Sequence, residues 1–245
     1  MLKKLVLSLA ALLLIANTAM AAEKTVSVAH DATWPPMEFV GSDKKLTGYA
    51  IDYIQAVAKE AGFKVKSKNQ AWDGIFGGLD AGRYDAIVSS VTITEERQKT
   101  YDFSLPYYDV HQALVVPAAS EAKTFEDMKG KTVGGQIGTT AIEVLKKYDG
   151  VKVKSYDEIG LAMEDLFNGR IDGVVCDDPV AKLYAVKKPQ YQGKMKLVAT
   201  APEVEHLGMV VKKGNKEMVE LLNKGIKAVK EKGIEAELIK KWMGN

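Results

Sequence analysis

The sequence predicts an α/β fold divided into two lobes, on three observations. Short β-rich runs alternate with segments of helical period, as parallel strands joined by crossover helices do. This cycle runs from Val26 to Val88 and begins again after Pro117. The last helical segments, Met218 to Val229 and Ile234 to Trp242, bring no strand order of their own and are expected to return to the first lobe.

Val26 to Ala29 reads as the first strand. Ile51, Ile54, Val57, Ala58 and Ala61 recur at helical spacing until Gly62, which suits a left-handed stop, and Phe63 to Lys66 follows as a strand. A second helix carries Ile75, Phe76 and Leu79. Asp85-Ala86-Ile87-Val88 reads as a buried strand whose carboxyl end delivers Ser89, Ser90 and Thr92 to the rim of the sheet. After Pro117 come a capped helix at Thr124, a strand at Thr132 to Gly134 and a helix opening at Thr139-Thr140. The strand Val151 to Val153, an amphipathic helix with Ile159, Met163 and Leu166, and the strand Gly173 to Val175 complete the second cycle, which ends at Cys176-Asp177-Asp178-Pro179. Tyr107 to Gln112 and Val204 to Leu207 are expected to cross between the lobes. The expected division is therefore lobe 1 from 22–107 and 208–245, lobe 2 from 112–203, and crossovers at 107–112 and 204–207.

Residues 1–21 have the layout of a secretory signal peptide: Lys3 and Lys4, an apolar stretch from Leu5 to Ala16, and a small-x-small site at Ala19 and Ala21. The apolar stretch is short for a bilayer, and no cysteine stands at the junction to carry a lipid. A cleaved, unanchored, exported protein is expected. Loss of Lys3 and Lys4 takes the formal charge from +2 to 0, which does not suit coating nucleic acid or an anionic membrane. With 47% hydrophobic and 27% charged residues the chain is ordinary for a globular fold, and its lone cysteine, Cys176, cannot pair internally.

Ligands of open α/β sheets sit beyond the carboxyl ends of the strands, so polar residues there are expected to converge on one cleft. The planar fork of Arg97 suits a carboxylate, with pairing to Glu95 or Glu96 as the plain alternative. Gly138-Thr139-Thr140 at a helix start offers backbone N–H groups to an anion, or is an ordinary cap. Of the adjacent acids, Asp178 reads as the cap of the helix entered through Pro179, and Asp177 as the group free to receive an ammonium. Trp34 and Trp72, both in loops, either stack on a planar or cationic ligand or plug a core edge. No phosphate loop, His-Glu-x-x-His pair or dinucleotide fingerprint is present in the sequence. His30, His111 and His206 are not at metal-ligand spacing, and Cys176 reads as a buried filler. No catalytic residue, metal or cofactor is expected.

From about Glu23 onward the chain resembles the polar amino-acid family of periplasmic solute-binding proteins, bacterial solute-binding protein family 3, the receptors of ABC importers. The residues that carry the resemblance are Trp34-Pro35-Pro36-Met37-Glu38-Phe39, Leu46-Thr47-Gly48-Tyr49 with Ile51-Asp52, Trp72-Asp73-Gly74-Ile75, Thr92-Ile93-Thr94-Glu95-Glu96-Arg97, Tyr101-Asp102-Phe103-Ser104 with Pro106-Tyr107-Tyr108, Gly138-Thr139-Thr140, and Asp177 with Pro179-Val180. It implies the type II periplasmic binding protein fold, with a ligand cleft between lobes joined by two crossover strands. It also implies a monomeric receptor that delivers an amino acid to a membrane permease. Arg97 would hold the α-carboxylate, helped by backbone and hydroxyl groups at Ser90 and Thr92 and by the helix start at Thr139 and Thr140. Asp177 would take the α-ammonium group. Asp31, Trp34 and Trp72 would surround the side chain, with Gln136 facing it from the second lobe. Tryptophan stands where relatives often carry phenylalanine or tyrosine, and Met37 replaces a common phenylalanine.

Some relatives are instead dehydratases of cyclic hydroxy acids such as arogenate and prephenate, with a catalytic glutamate shortly after the counterpart of Asp177. Here that position holds Val180, which cannot transfer a proton. Asp31, Glu38 and the tryptophans favour a long cationic ligand, arginine ahead of lysine or histidine, with glutamine as the rival.

Overall fold

The computed structural model describes residues 24–244, so the expected signal peptide lies outside the described residues. β1 (Thr25–His30) is buried at Val26, Val28 and Ala29, and β2 (Thr33–Trp34), β3 (Glu38–Val40) and β4 (Leu46–Thr47) follow as a small antiparallel sheet. α1 (Tyr49–Ala61) stops at Gly62, whose φ of 83° is the left-handed conformation that glycine adopts without strain. β5 (Lys64–Asn69) then pairs parallel with β1. α2 (Ile75–Asp80) leads to β6 (Ala86–Ile87), parallel to β1 on its other side, and α3 (Glu95–Thr100) leads to β7 (Tyr101–Phe103).

The chain crosses on β8 (Tyr108–Val110) into β9 (Gln112–Pro117), then β10 (Thr132–Gln136), α4 (Thr140–Lys146), β11 (Lys152–Tyr156), α5 (Ile159–Phe167) and β12 (Gly173–Asp177). α6 (Asp178–Lys182) runs into a π-turn at Leu183–Lys187, and β13 (Met195–Thr200) follows. β14 (Glu205–Leu207) pairs antiparallel with β8 as the chain crosses back to β15 (Val210–Lys212), α7 (Lys216–Glu231) and α8 (Ile234–Met243). The result is two five-stranded sheets, ordered β5-β1-β6-β15-β7 and β11-β10-β12-β9-β13, connected through the β8–β14 ribbon. This is the two-lobed α/β architecture expected from the sequence.

The last helices return to the first lobe as their apolar stripes require. Leu222, Ile226 and Val229 of α7 are fully buried in one core with Ile54 and Val57 of α1, each such side chain contributing about 1.5–3 kcal/mol by leaving water. The helices meet closely because residue 225 is glycine: a Cβ there would collide with the Val57 carbonyl oxygen.

Several local readings are corrected. The helix at Thr124 is a single 3-10 turn, Glu126–Met128. Thr124 and Asp127 cap each other reciprocally, but Gly130 turns left-handed at φ 77° before a second turn forms. The strand after Gly62 begins at Lys64, because Phe63 turns into the core. β10, β11 and β12 each run beyond the spans read from sequence. Asp178 does not cap α6: it is that helix's first residue, its Oδ1 accepting the His111 N–H at 3.1 Å and its Oδ2 pairing with Lys182 at 2.6 Å. β7, β9, β13 and β15, absent from the sequence reading, pair antiparallel with strands distant in the chain.

Candidate functional site

Four strand ends meet at one cleft: β1 delivers Asp31, β6 delivers Ser89 to Thr92, β10 ends at Gln136 and β12 at Asp177. About 340 Å3 of space is lined by Asp31, Trp34, Glu38, Trp72, Ser89, Ser90, Thr92, Arg97, Gln136, Thr139, Thr140 and Asp177. Every candidate named from the sequence therefore faces this space. Ser89 joins them, and Glu38 forms part of the wall itself.

Arg97 lies on α3, whose start is capped by Thr94: the Thr94 hydroxyl oxygen accepts the Arg97 N–H at 3.2 Å. The guanidinium does not pair with Glu95 or Glu96, and Glu96 instead meets Lys99 at 2.6 Å. Nη1 donates to the Thr92 carbonyl at 2.9 Å, and Nη2 reaches across the cleft to the Gly138 carbonyl at 3.0 Å. The group sits 5.7 Å from the ring centres of both Trp72 and Phe76. The Trp72 ring thus packs against the protein's own Arg97. Five N–H donors with two carbonyl bonds leave donors for an anion.

Asp177 is 4% exposed; its Oδ1 accepts Gln112 Nε2 at 2.7 Å and its Oδ2 accepts Trp34 Nε1 at 3.2 Å, the second bond crossing between lobes. Burial, and then repulsion from Glu205, push its pKa up to about 7 against those hydrogen bonds. Asp31 Oδ2 accepts Gln136 Nε2 at 2.9 Å, again across the cleft, and Oδ1 accepts the Thr33 hydroxyl at 2.9 Å. Burial raises its pKa, opposed by those bonds. Glu38 is wholly buried: Oε2 accepts the Ser90 hydroxyl at 3.0 Å, while Oε1 has no hydrogen-bond partner. Burial first, and repulsion from Asp31 and Asp177 in addition, hold its pKa well above the usual range.

Ser90 adopts a left-handed φ of 46°, with its N–H donated to the Tyr107 hydroxyl at 3.2 Å. The Thr139 hydroxyl donates to the Gln136 carbonyl at 2.7 Å and so does not cap α4. The hydroxyls of Thr92 and Thr140 donate to Glu205 Oε2 at 2.9 and 2.7 Å. Glu205 and Gln112 went unread in the sequence, although both fall at the ends of the two crossovers, where side chains can enter a cleft between lobes. His30 is a bracing residue: it is buried, with Nδ1 against the Val88 carbonyl at 2.6 Å and Nε2 against Ser67 Oγ at 3.0 Å. Burial lowers its pKa to about 4.

The cleft thus sets one guanidinium, that of Arg97, against three buried carboxyl groups, Asp31, Glu38 and Asp177.

The pattern of the bacterial extracellular solute-binding proteins, family 3, matches residues 26–245. The L-cystine-binding protein TcyJ of Escherichia coli (strain K12) is 35% identical over 223 residues, 90% of this chain and 83% of that protein. ABC transporter arginine-binding protein 1 of the same strain is 35% identical over 243 residues, 98% of each chain. A solved structure of an ancestral arginine-binding protein bound to arginine is 39% identical, with a TM-score of 0.85 over 91% of this chain and 99% of the other.

Proposed function

The chain belongs to the bacterial extracellular solute-binding proteins of family 3, and on that premise we propose that it is a periplasmic receptor for a polar L-amino acid, arginine first, which it hands to the permease of an ABC importer. The observation that carries this reading is the charge pattern of the cleft: a single arginine, Arg97, faces buried Asp31, Glu38 and Asp177. Arg97 takes the α-carboxylate and Asp177 the α-ammonium. Asp31, with Trp34 beside it, receives a cationic side chain, and the buried Glu38 lines the same end of the cleft. Glutamine gains less from that charge, and a second carboxylate on the ligand is repelled by it.

The protein works as a monomer, delivered by cleavage of residues 1–21 and closing on the β8–β14 ribbon. It acts without catalysis. Val180, where a dehydratase needs a proton donor, is apolar and fully buried. The test is a thermal-shift screen of protein freed of retained ligand by unfolding and refolding, against the twenty amino acids and cystine. Stabilisation by the basic amino acids supports the reading. No shift with any amino acid overturns it, and a larger shift with cystine or glutamine replaces arginine as the ligand.

A further inference from the structure

Glu205 stands on β14, one of the two strands that cross between lobes. One of its oxygens, Oε2, accepts the Thr140 hydroxyl at 2.7 Å, the Thr92 hydroxyl at 2.9 Å and Gln112 Nε2 at 3.1 Å. Thr92 follows β6 of the first sheet and Thr140 opens α4 beside the second, so one atom on a crossover is bonded to both walls of the cleft. The same Gln112 amide braces Asp177 at 2.7 Å.

A hydroxyl carries one proton. With both protons donated to Glu205, the oxygens of Thr92 and Thr140, 3.4 Å apart, offer only lone pairs to anything else. Gln112 Nε2, which lies 3.3 Å from Thr140 Oγ1, approaches it accordingly as a donor. A ligand group that meets these hydroxyls must then be a donor as well.

We infer that Glu205 is a positioning residue for the ligand head group: by taking the protons of Thr92 and Thr140 it makes both hydroxyls acceptors, selective for an ammonium over a carboxylate. The Thr92 hydroxyl then does not assist the α-carboxylate, contrary to what the family resemblance implies, and that carboxylate is left to Arg97 and to backbone N–H groups. The arrangement exists only when the lobes are closed, since the two hydroxyls come from opposite walls. The inference rests on the reading of this cleft as an amino-acid site.

The test compares arginine with its deamino analogue, 5-guanidinovalerate, which keeps the carboxylate and lacks the ammonium, by calorimetry on the full chain. In Glu205→Ala the freed hydroxyls become donors, so the ratio of analogue Kd to arginine Kd should fall by about tenfold or more. In Glu205→Gln, which keeps an acceptor oxygen, the ratio should stay within about threefold of the parent. A merely structural role for Glu205 would weaken both ligands alike and leave the ratio unchanged in the Ala variant, which would overturn the inference. Thr92→Val gives an independent reading: arginine should weaken and the analogue should not, whereas equal weakening of both contradicts the assignment. If the parent prefers another amino acid, the same ratio is read with that amino acid and its deamino analogue. Failure of the parent to bind any amino acid refutes the reading of the site itself.

Discussion

The side-chain amide of Gln136 donates to the carboxylate of Asp31 at 2.9 Å, a bond that joins the two lobes directly across the cleft. On the proposed reading Asp31 has two tasks, meeting the ligand side chain and holding the closed state. Changing Asp31 to Asn removes the charge and keeps the shape. Arginine affinity should fall by roughly tenfold or more, the loss expected for a hydrogen bond to a charged group, and glutamine affinity should fall less. Calorimetry with both ligands checks this, and an unchanged arginine affinity contradicts the role given to Asp31.

Arg97→Ala removes the guanidinium that bonds the Gly138 carbonyl from the opposite lobe at 3.0 Å. It also removes the donors assigned to the α-carboxylate. Binding should weaken by about 100-fold or more, with the fold intact by circular dichroism. Lysine should restore little, because its compact ammonium lacks the planar fork that spans the Thr92 and Gly138 carbonyls while meeting a carboxylate bidentately.

The Asp177 pKa of about 7 gives a pH dependence whose sign is fixed. An ammonium ligand binds the ionised carboxylate, so the affinity of the closed form should be full above pH 7 and decline as pH falls through it, with protons released when ligand meets that form near pH 6. The stability of the closed, ligand-free form should behave oppositely. The Asp177 pKa is raised above the unfolded value, so the folded state holds the extra proton in that window and unfolding releases it; stability decreases as pH rises from about 4 to 7. Buried Asp31 and Glu38, also raised, act in the same direction. Calorimetry in buffers of different ionisation enthalpy counts the protons, and proton uptake on binding contradicts this assignment.

Trp34 to Asp177, Gln136 to Asp31 and Arg97 to Gly138 each bridge the lobes through residues assigned to the ligand. Ligand should therefore stabilise a closed state turning on β8 and β14. Small-angle scattering of verified ligand-free protein should show a radius of gyration that decreases on adding arginine. An unchanged radius counts against hinge closure.

The alternation of strands and helices was legible because parallel strands are buried on both faces and read as apolar runs, as Ala86-Ile87-Val88 does. The cleft was legible in part for the same reason: once the strands are placed, their carboxyl ends name Ser90, Thr92 and Asp177, whereas Asp31 and Gln136 were named only through the family resemblance. The antiparallel strands were not. β7 and β15 are each three residues long and gain their partners only from remote chain, Val210 facing Ile87 on one side and Phe103 on the other. Glu205 escaped because a three-residue crossover has too little alternation to show which side chains enter the cleft. Asp178 misled because an acid before proline at a helix start usually caps, whereas here its carboxylate is occupied by the His111 N–H and Lys182.

The preference for a cationic amino acid is most directly settled by one calorimetric series on refolded, ligand-free protein, titrated with arginine, lysine, glutamine, glutamate and cystine under a single buffer. Asp31 beside the side chain, with Arg97 held for the α-carboxylate, predicts that arginine binds tightest, glutamine more weakly and glutamate least. Glutamine, glutamate or cystine binding tighter than arginine would contradict it.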